Sequence, residues 1–195
     1  MTIKYQNVYI DSTYTIGGVY ESAGPLDKYF DKTFDKDLYF GEKTFEKAES
    51  KLLSLAIEGL LNKTGNKEDH IDLVVSGDLQ NQLASSDYAL RDYNIPYLGV
   101  FSACSTISEA ISIASSFLEN GLAKKIIAST SSHNAVSEKQ FRGPNEYGTL
   151  KPATATFTAT GSAAILLTNT KTNIKVSSTT IGRVVDLGIK DANNM

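Results

Sequence analysis

The sequence predicts an α/β domain in which a mainly parallel sheet is covered by helices on both faces. Short apolar runs of strand length recur along the chain, and segments with helical periodicity separate them. Strands that alternate with helices in this way are typical of a sheet packed between two helical layers. The length of 195 residues is sufficient for one sizeable domain and marginal for two.

The first quarter of the chain predicts one strand and one long helix. Asn7–Ile16 alternates apolar and polar residues before two glycines, which is the pattern of a strand. Residues 18–42 are mixed in character and are assigned to an irregular connection. Thr44–Lys63 predicts the best helix of the sequence, ended by Gly65. Its apolar side chains share one face: Phe45, Ala48, Leu52, Leu55, Ala56 and Leu60.

The middle of the chain predicts two buried strands and two further helices. Ile71–Val75 and Tyr97–Phe101 are short apolar runs typical of parallel strands. Ser86–Tyr93 is a short helix candidate between them. Thr106–Asn120 predicts a longer helix, since Thr106 and Glu109 have the spacing of a capping box and Gly121 follows as a stop signal.

The last third of the chain predicts three strands. Lys125–Thr130 is followed by a loop of about twenty-five residues, then by strands at Thr160–Thr168 and Ile174–Val185. No helix follows the last strand to cover it. Because a sheet of this class needs a helix on each face, we expect that the domain is cut rather than complete.

Composition and charge exclude several classes of function. A net charge of -3 gives no electrostatic footprint for nucleic acid, and one cysteine cannot form an internal disulfide. No signal peptide is visible near Met1, and the longest apolar runs are too short to span a bilayer. We therefore expect a cytoplasmic protein or one that associates with a membrane only peripherally.

Cys104 lies where a buried strand passes into a helix. The N-terminus of a helix favours a thiolate, and the carboxyl ends of strands are where open α/β sheets bind ligands. A buried free cysteine is also a common small core residue. The sequence leaves both interpretations open, and we expect packing to dominate, so that the thiol reacts slowly.

The two histidines differ in their positions. His70 precedes a strand in a polar stretch and is assigned to the surface. His133 follows the strand Lys125–Thr130 at the same sheet edge as Cys104, which makes it a site candidate or a structural histidine bonded to loop backbone. One cysteine and two distant histidines indicate no metal site, and no phosphate-binding glycine motif is present, so no cofactor is expected.

Several motifs resemble the thiolase superfamily and, more closely, the stage V sporulation protein AD family of spore-forming bacteria. The run Ser129–Ala135 followed by Gln140–Arg142 is the most specific of them. The other matching stretches are Gly77–Gln82, Phe101–Thr106, Glu146–Gly148, Thr160–Ser162 and Ile181–Gly188.

This resemblance implies a thiolase-like three-layer α/β/α fold with a mixed five-stranded sheet, whose last strand is antiparallel to the others. It implies that residues 1–172 form the N-terminal half of a two-half pseudo-symmetric fold, and that residues 173–195 open a truncated second half. It also implies a sporulation protein that binds dipicolinic acid without catalysis. Its expected partners are the missing C-terminal half and other stage V A-type sporulation proteins at the inner spore membrane.

The ligand site implied by the resemblance draws on Cys104, His133, Asn134 and Arg142, which offer cationic or N–H donors to a dianion. If calcium accompanies the ligand, Asp78 is a further candidate. The alternative is an active acyltransferase of the thiolase or ketoacyl-synthase type with Cys104 as its nucleophile. A third interpretation is a purely structural subunit of a membrane-associated complex. Fold alone does not decide among the three.

Overall fold

The computed structural model describes residues 1–141, 158–188 and 190. The strands are β1 (Thr2–Lys4), β2 (Tyr9–Gly17), β3 (Lys32–Thr33), β4 (Leu73–Gly77), β5 (Tyr97–Gly99), β6 (Lys125–Ser132), β7 (Gly161–Thr168), β8 (Ile174–Lys175) and β9 (Ser178–Thr180). The α-helices are α1 (Val19–Ser22), α2 (Phe45–Thr64), α3 (Ala84–Leu90), α4 (Thr106–Glu119) and α5 (Asn134–Phe141).

Five strands form the body of one mixed sheet in the order β2-β7-β6-β4-β5. β4 is parallel to both β5 and β6, whereas β7 is antiparallel to both β6 and β2. The short strands β3 and β8 extend this sheet at β2. The predicted five-stranded mixed sheet is therefore confirmed among the described residues, with β7 as its antiparallel last strand.

The sheet has one apolar core on each face, and successive residues of each central strand pack alternately into the two cores. Val74, Ile127 and Leu166 pack with α2 on one face, while Val75, Ile126 and Leu167 pack with α4 on the other. Side chains alternate across a strand, so a strand buried on both faces is apolar at successive positions. This arrangement gives three layers: α2, the sheet and α4.

Helix α2 contributes seven residues to the core on its own face of the sheet, more than any other element of the described chain. The Thr44 side chain accepts a hydrogen bond from the Lys47 backbone N–H at 3.2 Å, and Gly65 ends the helix at a φ of 65°. Leu52, Leu53 and Leu60 are completely buried. Each such side chain stabilises the fold by about 1.5–3 kcal/mol relative to exposure.

Helix α4 begins differently from the capping box that the sequence predicts. The Thr106 hydroxyl donates to the Ala103 carbonyl at 2.8 Å and accepts from the Ser102 backbone N–H at 3.1 Å. A 3-10 turn at Ala103–Ser105 precedes the helix and engages this hydroxyl, so no capping box with Glu109 forms. The predicted stop at Gly121 is confirmed by its φ of 68°.

Two predictions about the second half of the chain are wrong. The long loop after β6 contains a helix, α5, although residues 142–157 lie outside the described residues. Ile174–Val185 is not one strand, because β8 pairs with β2 for two residues and β9 then crosses to β1. Residues 181–188 are exposed and form no strand. The domain division at residue 172 stays a prediction.

Candidate functional site

Cys104 lies in the 3-10 turn between β5 and α4, at the carboxyl edge of the sheet. The thiol is exposed, so the expectation that packing shields it is wrong for this chain. The preceding residue, Ala103, has a φ of 45°, in the left-handed region that costs a non-glycine residue about 1–3 kcal/mol. Ser102 and Ser105 brace the turn through a hydroxyl contact of 2.6 Å.

Gly77 fixes how closely this turn approaches the sheet. A Cβ atom at position 77 would lie 1.9 Å from the Val100 carbonyl oxygen and 2.7 Å from the Thr106 Cγ2 atom. Only glycine therefore allows the end of β4 to contact the segments on either side of Cys104.

Small and hydroxyl-bearing residues share the α4 side of this sheet edge with Cys104. Ala128 packs in the α4 core, so alternation along β6 places Thr130 and Ser132 on the same face. The Thr130 hydroxyl donates to the Gly77 carbonyl at 2.9 Å, and the Ser132 hydroxyl donates to the Ala159 carbonyl at 2.6 Å. This part of the sheet edge is thus polar, and both hydroxyl groups are engaged by backbone carbonyls.

His133 lies on the other side of the sheet edge, against α2. Its ring is 1% exposed and packs on Phe45 at a centroid distance of 4.8 Å. Burial lowers the pKa of His133, against an opposing hydrogen bond to the Leu38 carbonyl. The neutral ring then uses both nitrogens on the backbone: Nε2 donates to Leu38 at 2.9 Å, and Nδ1 accepts from Ala135 at 3.2 Å. This is the arrangement of a structural histidine.

The other predicted residues are placed as follows. Asn134 begins α5 at the same carboxyl edge, with its backbone N–H bonded to Thr160 Oγ1 and its Nδ2 bonded to the Thr158 carbonyl, both at 2.9 Å. His70 ends a surface turn before β4, at the opposite end of the sheet. Arg142 lies outside the described residues. The structure thus brings His133 and Asn134 together and leaves Cys104 on the far side of the sheet.

Sequence reasoning missed a buried polar cluster beneath α2. Its members are Glu49, Asp78, Gln80, Ser85, Ser86 and Ser131, and we call it the α2-side cluster. Asp78 accepts hydrogen bonds from the backbone N–H groups of Gln80 and Ser86, each at 2.7 Å, and from the Ser86 hydroxyl at 2.6 Å. The available signal was Glu49 itself, an acid placed among the apolar positions of the best helix.

Asp78 is completely buried with these three donors around it, so it offers no accessible ligand for calcium. Within residues 1–141, 158–188 and 190, no group of three or more acidic, histidine or cysteine side chains is placed to hold a metal ion. In the same ranges, no helix has the length and apolar character needed to cross a membrane.

A groove of about 780 Å³ lies between α2 and α3, with Gln80 at its floor. Its rim carries both signs of charge, including Glu42, Lys51 and Arg91. The Lys51 ammonium is already 3.4 Å from Glu42 and 2.8 Å from the Phe40 carbonyl. Neither Cys104 nor His133 lines this groove.

Comparison with solved structures places the fold. The chain is similar to 3-oxoacyl-[acyl-carrier-protein] synthase III of Aquifex aeolicus VF5, with a TM-score of 0.55, 16% identity, and coverage of 85% of this chain and 55% of that one. The corresponding enzyme of Xanthomonas oryzae pv. oryzae gives a TM-score of 0.53 at 17% identity, covering 85% of this chain and 57% of that one. The fold is thiolase-like.

Comparison of sequences gives a closer relationship. Stage V sporulation protein AD of Bacillus subtilis (strain 168) is 44% identical over 188 residues, which are 96% of this chain and 55% of that protein. The chain thus spans about half the length of this relative. The family model for stage V sporulation protein AD matches residues 1–195. The chain therefore belongs to the stage V sporulation protein AD family.

Proposed function

We propose that the protein binds dipicolinic acid, without catalysis, for uptake of this dianion into the developing spore. The observation that carries the proposal is the 44% identity to a stage V sporulation protein over nearly the whole chain. Dipicolinate binding is what the family resemblance implies, and we place the ligand at the carboxyl edge of the sheet near the exposed Cys104.

The charge of the ligand limits which residues can bind it. Dipicolinate carries two carboxylates, so the site must supply cations or N–H donors. His133 is neutral and uses both ring nitrogens, while Asn134 donates its backbone N–H to Thr160 and one side-chain N–H to the Thr158 carbonyl. Arg142 is consequently the predicted residue best suited to the ligand, because a guanidinium forms bidentate contacts with a carboxylate.

Calorimetry on the full-length protein tests this assignment. Arg142→Ala is expected to weaken dipicolinate binding roughly 10- to 150-fold, the loss of about 1.5–3 kcal/mol for a charged hydrogen bond. Lys139→Ala is the matched control, since Lys139 is exposed and lies 3.7 Å from Glu46. Unchanged affinity in Arg142→Ala would remove this residue from the site, and no binding by the wild type would remove the function.

Acyl transfer is the second candidate function, favoured by the exposed thiol at the start of α4 on the fold of acyl-condensing synthases. In the part of the chain that the structure describes, the Cys104 thiol forms no hydrogen bond and no ion pair. A nucleophilic cysteine requires a neighbouring base or another activating group. We expect mass spectrometry to find no acylated Cys104 after incubation with a short acyl thioester. Stoichiometric acylation of Cys104 would instead support the acyltransferase function.

We further propose that the protein works at the inner spore membrane together with other stage V A-type sporulation proteins. Cross-linking in sporulating cells, followed by affinity purification of the tagged full-length protein, is expected to recover them. Recovery of the protein alone, in the same cells, would contradict this proposal.

A further inference from the structure

Glu49 occupies an unusual place for an acid, because it begins the second turn of α2 and is completely buried. Its carboxyl group points to the carboxyl ends of two strands. Oε1 accepts from the Ser131 hydroxyl at 3.2 Å, and Oε2 accepts from the Gln80 Nε2 group at 3.4 Å. No ion pair of the described chain includes Glu49. A buried carboxylate without a cation is costly, so such a group takes up a proton instead.

Asp78 completes the reason why Glu49 holds the proton. Asp78 accepts from three donors at 2.6–2.7 Å, whereas the hydrogen bonds to Glu49 are longer. Short donors stabilise the charged form of an acid, and a neighbouring negative charge disfavours a second one. Burial raises the pKa of Asp78 as well, but its three short hydrogen bonds oppose that increase, so the pair is most stable with an ionised Asp78 and a neutral Glu49.

We propose that Glu49 is held as a neutral carboxylic acid between α2 and the carboxyl ends of β4 and β6, so that loss of its proton leaves a buried charge beside Asp78 and loosens the sheet edge at Ser131 and His133. Gln80 is the second attachment, since its Nε2 group contacts both Glu49 and the Ser85 hydroxyl of α3. Through Glu49 and Gln80, these contacts join α2, α3 and the ends of β4 and β6.

The titratable groups on the elements packed around Glu49 do not compensate its charge. They include the acids Glu46, Asp78, Asp87 and Glu138, the cations Lys47, Lys51, Lys125 and Lys139, and His133, and none of these cations forms an ion pair with Glu49 among the described residues. Lys139 is exposed and lies 3.7 Å from Glu46, and His133 is neutral. Burial, followed by the Asp78 charge, raises the pKa of Glu49 to about 8 from 4.5.

This shift fixes the direction of the pH dependence. Between 4.5 and about 8 the folded protein keeps a proton that the unfolded chain has released. Unfolding then releases a proton, so the unfolding equilibrium constant increases as the pH rises, by up to about tenfold per pH unit. The stabilisation is fully present below the unfolded pKa and is lost as the pH rises through the folded pKa.

Urea unfolding of the full-length protein between about pH 5 and pH 8 tests the proposal. In wild type the unfolding constant is expected to rise with pH more steeply than in Glu49→Gln, which mimics the neutral acid at every pH. Glu58→Gln, at an exposed position of the same helix, is the control and keeps the wild-type slope. Equal slopes in wild type and Glu49→Gln would overturn the proposal.

Hydrogen exchange gives a second readout that does not depend on global unfolding. Amide protection at Gln80 and Ser131, corrected for intrinsic rates, is expected to fall between pH 6 and about pH 8 in wild type and to stay level in Glu49→Gln. If Glu49→Gln does not fold, the wild-type profile still decides: constant protection at both positions would refute the proton-dependent attachment.

Discussion

Cys104 and His133 lie at the same end of the sheet, yet their surroundings give them opposite properties. The thiol is exposed in a turn with a strained neighbour, whereas the imidazole is enclosed between two phenylalanine rings and the backbone. Proximity to the sheet edge alone therefore does not make a residue part of a binding surface.

We expect Cys104 in this chain to react with a thiol reagent under native conditions at a rate close to that in the denatured chain. The physical reason is its exposure, since access and thiolate content control cysteine reactivity. Absorbance with a disulfide reagent measures the rate, and Cys104→Ser is the blank. Labelling that requires denaturant would show that the thiol is covered in solution.

His133 is expected to make the fold sensitive to mild acid. Its pKa is lowered in the folded state, so the unfolded chain takes up a proton first as the pH falls below 6.5. Stability present above pH 6.5 is thus lost on acidification, by at most about 1.4 kcal/mol per pH unit. Denaturant unfolding of His133→Gln should lack this dependence.

The matched control for His133 is His70→Gln, because His70 is half exposed in a surface turn. This substitution should leave the acid dependence unchanged. The opposite result, in which His70→Gln and not His133→Gln removes the acid dependence, would contradict the buried structural role.

Residue-level features divide into those that local sequence determines and those that it does not. The position of Cys104 at a strand–helix junction is predictable from the sequence, because the apolar run Tyr97–Phe101 ends just before it and the helical periodicity of Thr106–Asn120 begins just after it. The side of the sheet on which His133 lies depends on where β6 ends. This strand ends at Ser132 and not at Thr130, where the sequence predicts its end. The burial of Glu49 depends on Asp78 and Ser131, which are distant in sequence.

At the scale of elements, apolar periodicity identified α2 and α4 but not α5. Helix α5 has a polar sequence, and its buried residues include Val136, Ser137 and Glu138. Tertiary contacts rather than an amphipathic pattern hold such a helix, so a pattern-based prediction assigns it to a loop. The strand predicted at Ile174–Val185 is divided between two partners, because β8 pairs with β2 over two residues and β9 pairs with β1 over three.

The packing of α4 depends on small residues facing the sheet. Ala110 is completely buried in the core formed with Val75 and Ala128. Ala110→Leu is expected to lower the free energy of unfolding by about 1–3 kcal/mol through overpacking. Urea unfolding measures the change, and Ser108→Leu, on the exposed face of the same helix, should alter it by less than about 0.5 kcal/mol. Equal effects of the two substitutions would show that α4 does not pack as described.

At the scale of the whole molecule, the described chain presents a run of exposed apolar residues after β9. Val184 is 102% exposed and Leu187 is 79% exposed, with Ile181 and Val185 beside them. Apolar surface of this kind promotes association. We expect the 195-residue chain to self-associate when expressed alone, as light scattering after gel filtration would detect.

The double variant Val184→Lys with Leu187→Lys should reduce this association without changing the core. The control is the same double lysine substitution at Leu98 and Phe101, two exposed apolar residues in and just after β5. A monodisperse wild-type chain at high concentration would refute the prediction. If only the lysine substitutions at Leu98 and Phe101 abolished self-association, the associating surface would lie at the end of β5 instead.

The ribbon formed by β1 and β9 has a consequence for the order of events during synthesis. Thr2 pairs with Thr180, a partner 178 positions later, so β1 has no strand to join until most of the chain exists. At about 5–20 residues per second, a ribosome needs roughly 10–35 seconds to make that partner. Closing so long a loop also delays pairing in a free chain. Pulse-labelled hydrogen exchange during refolding is therefore expected to protect β1 after the strands of the main sheet.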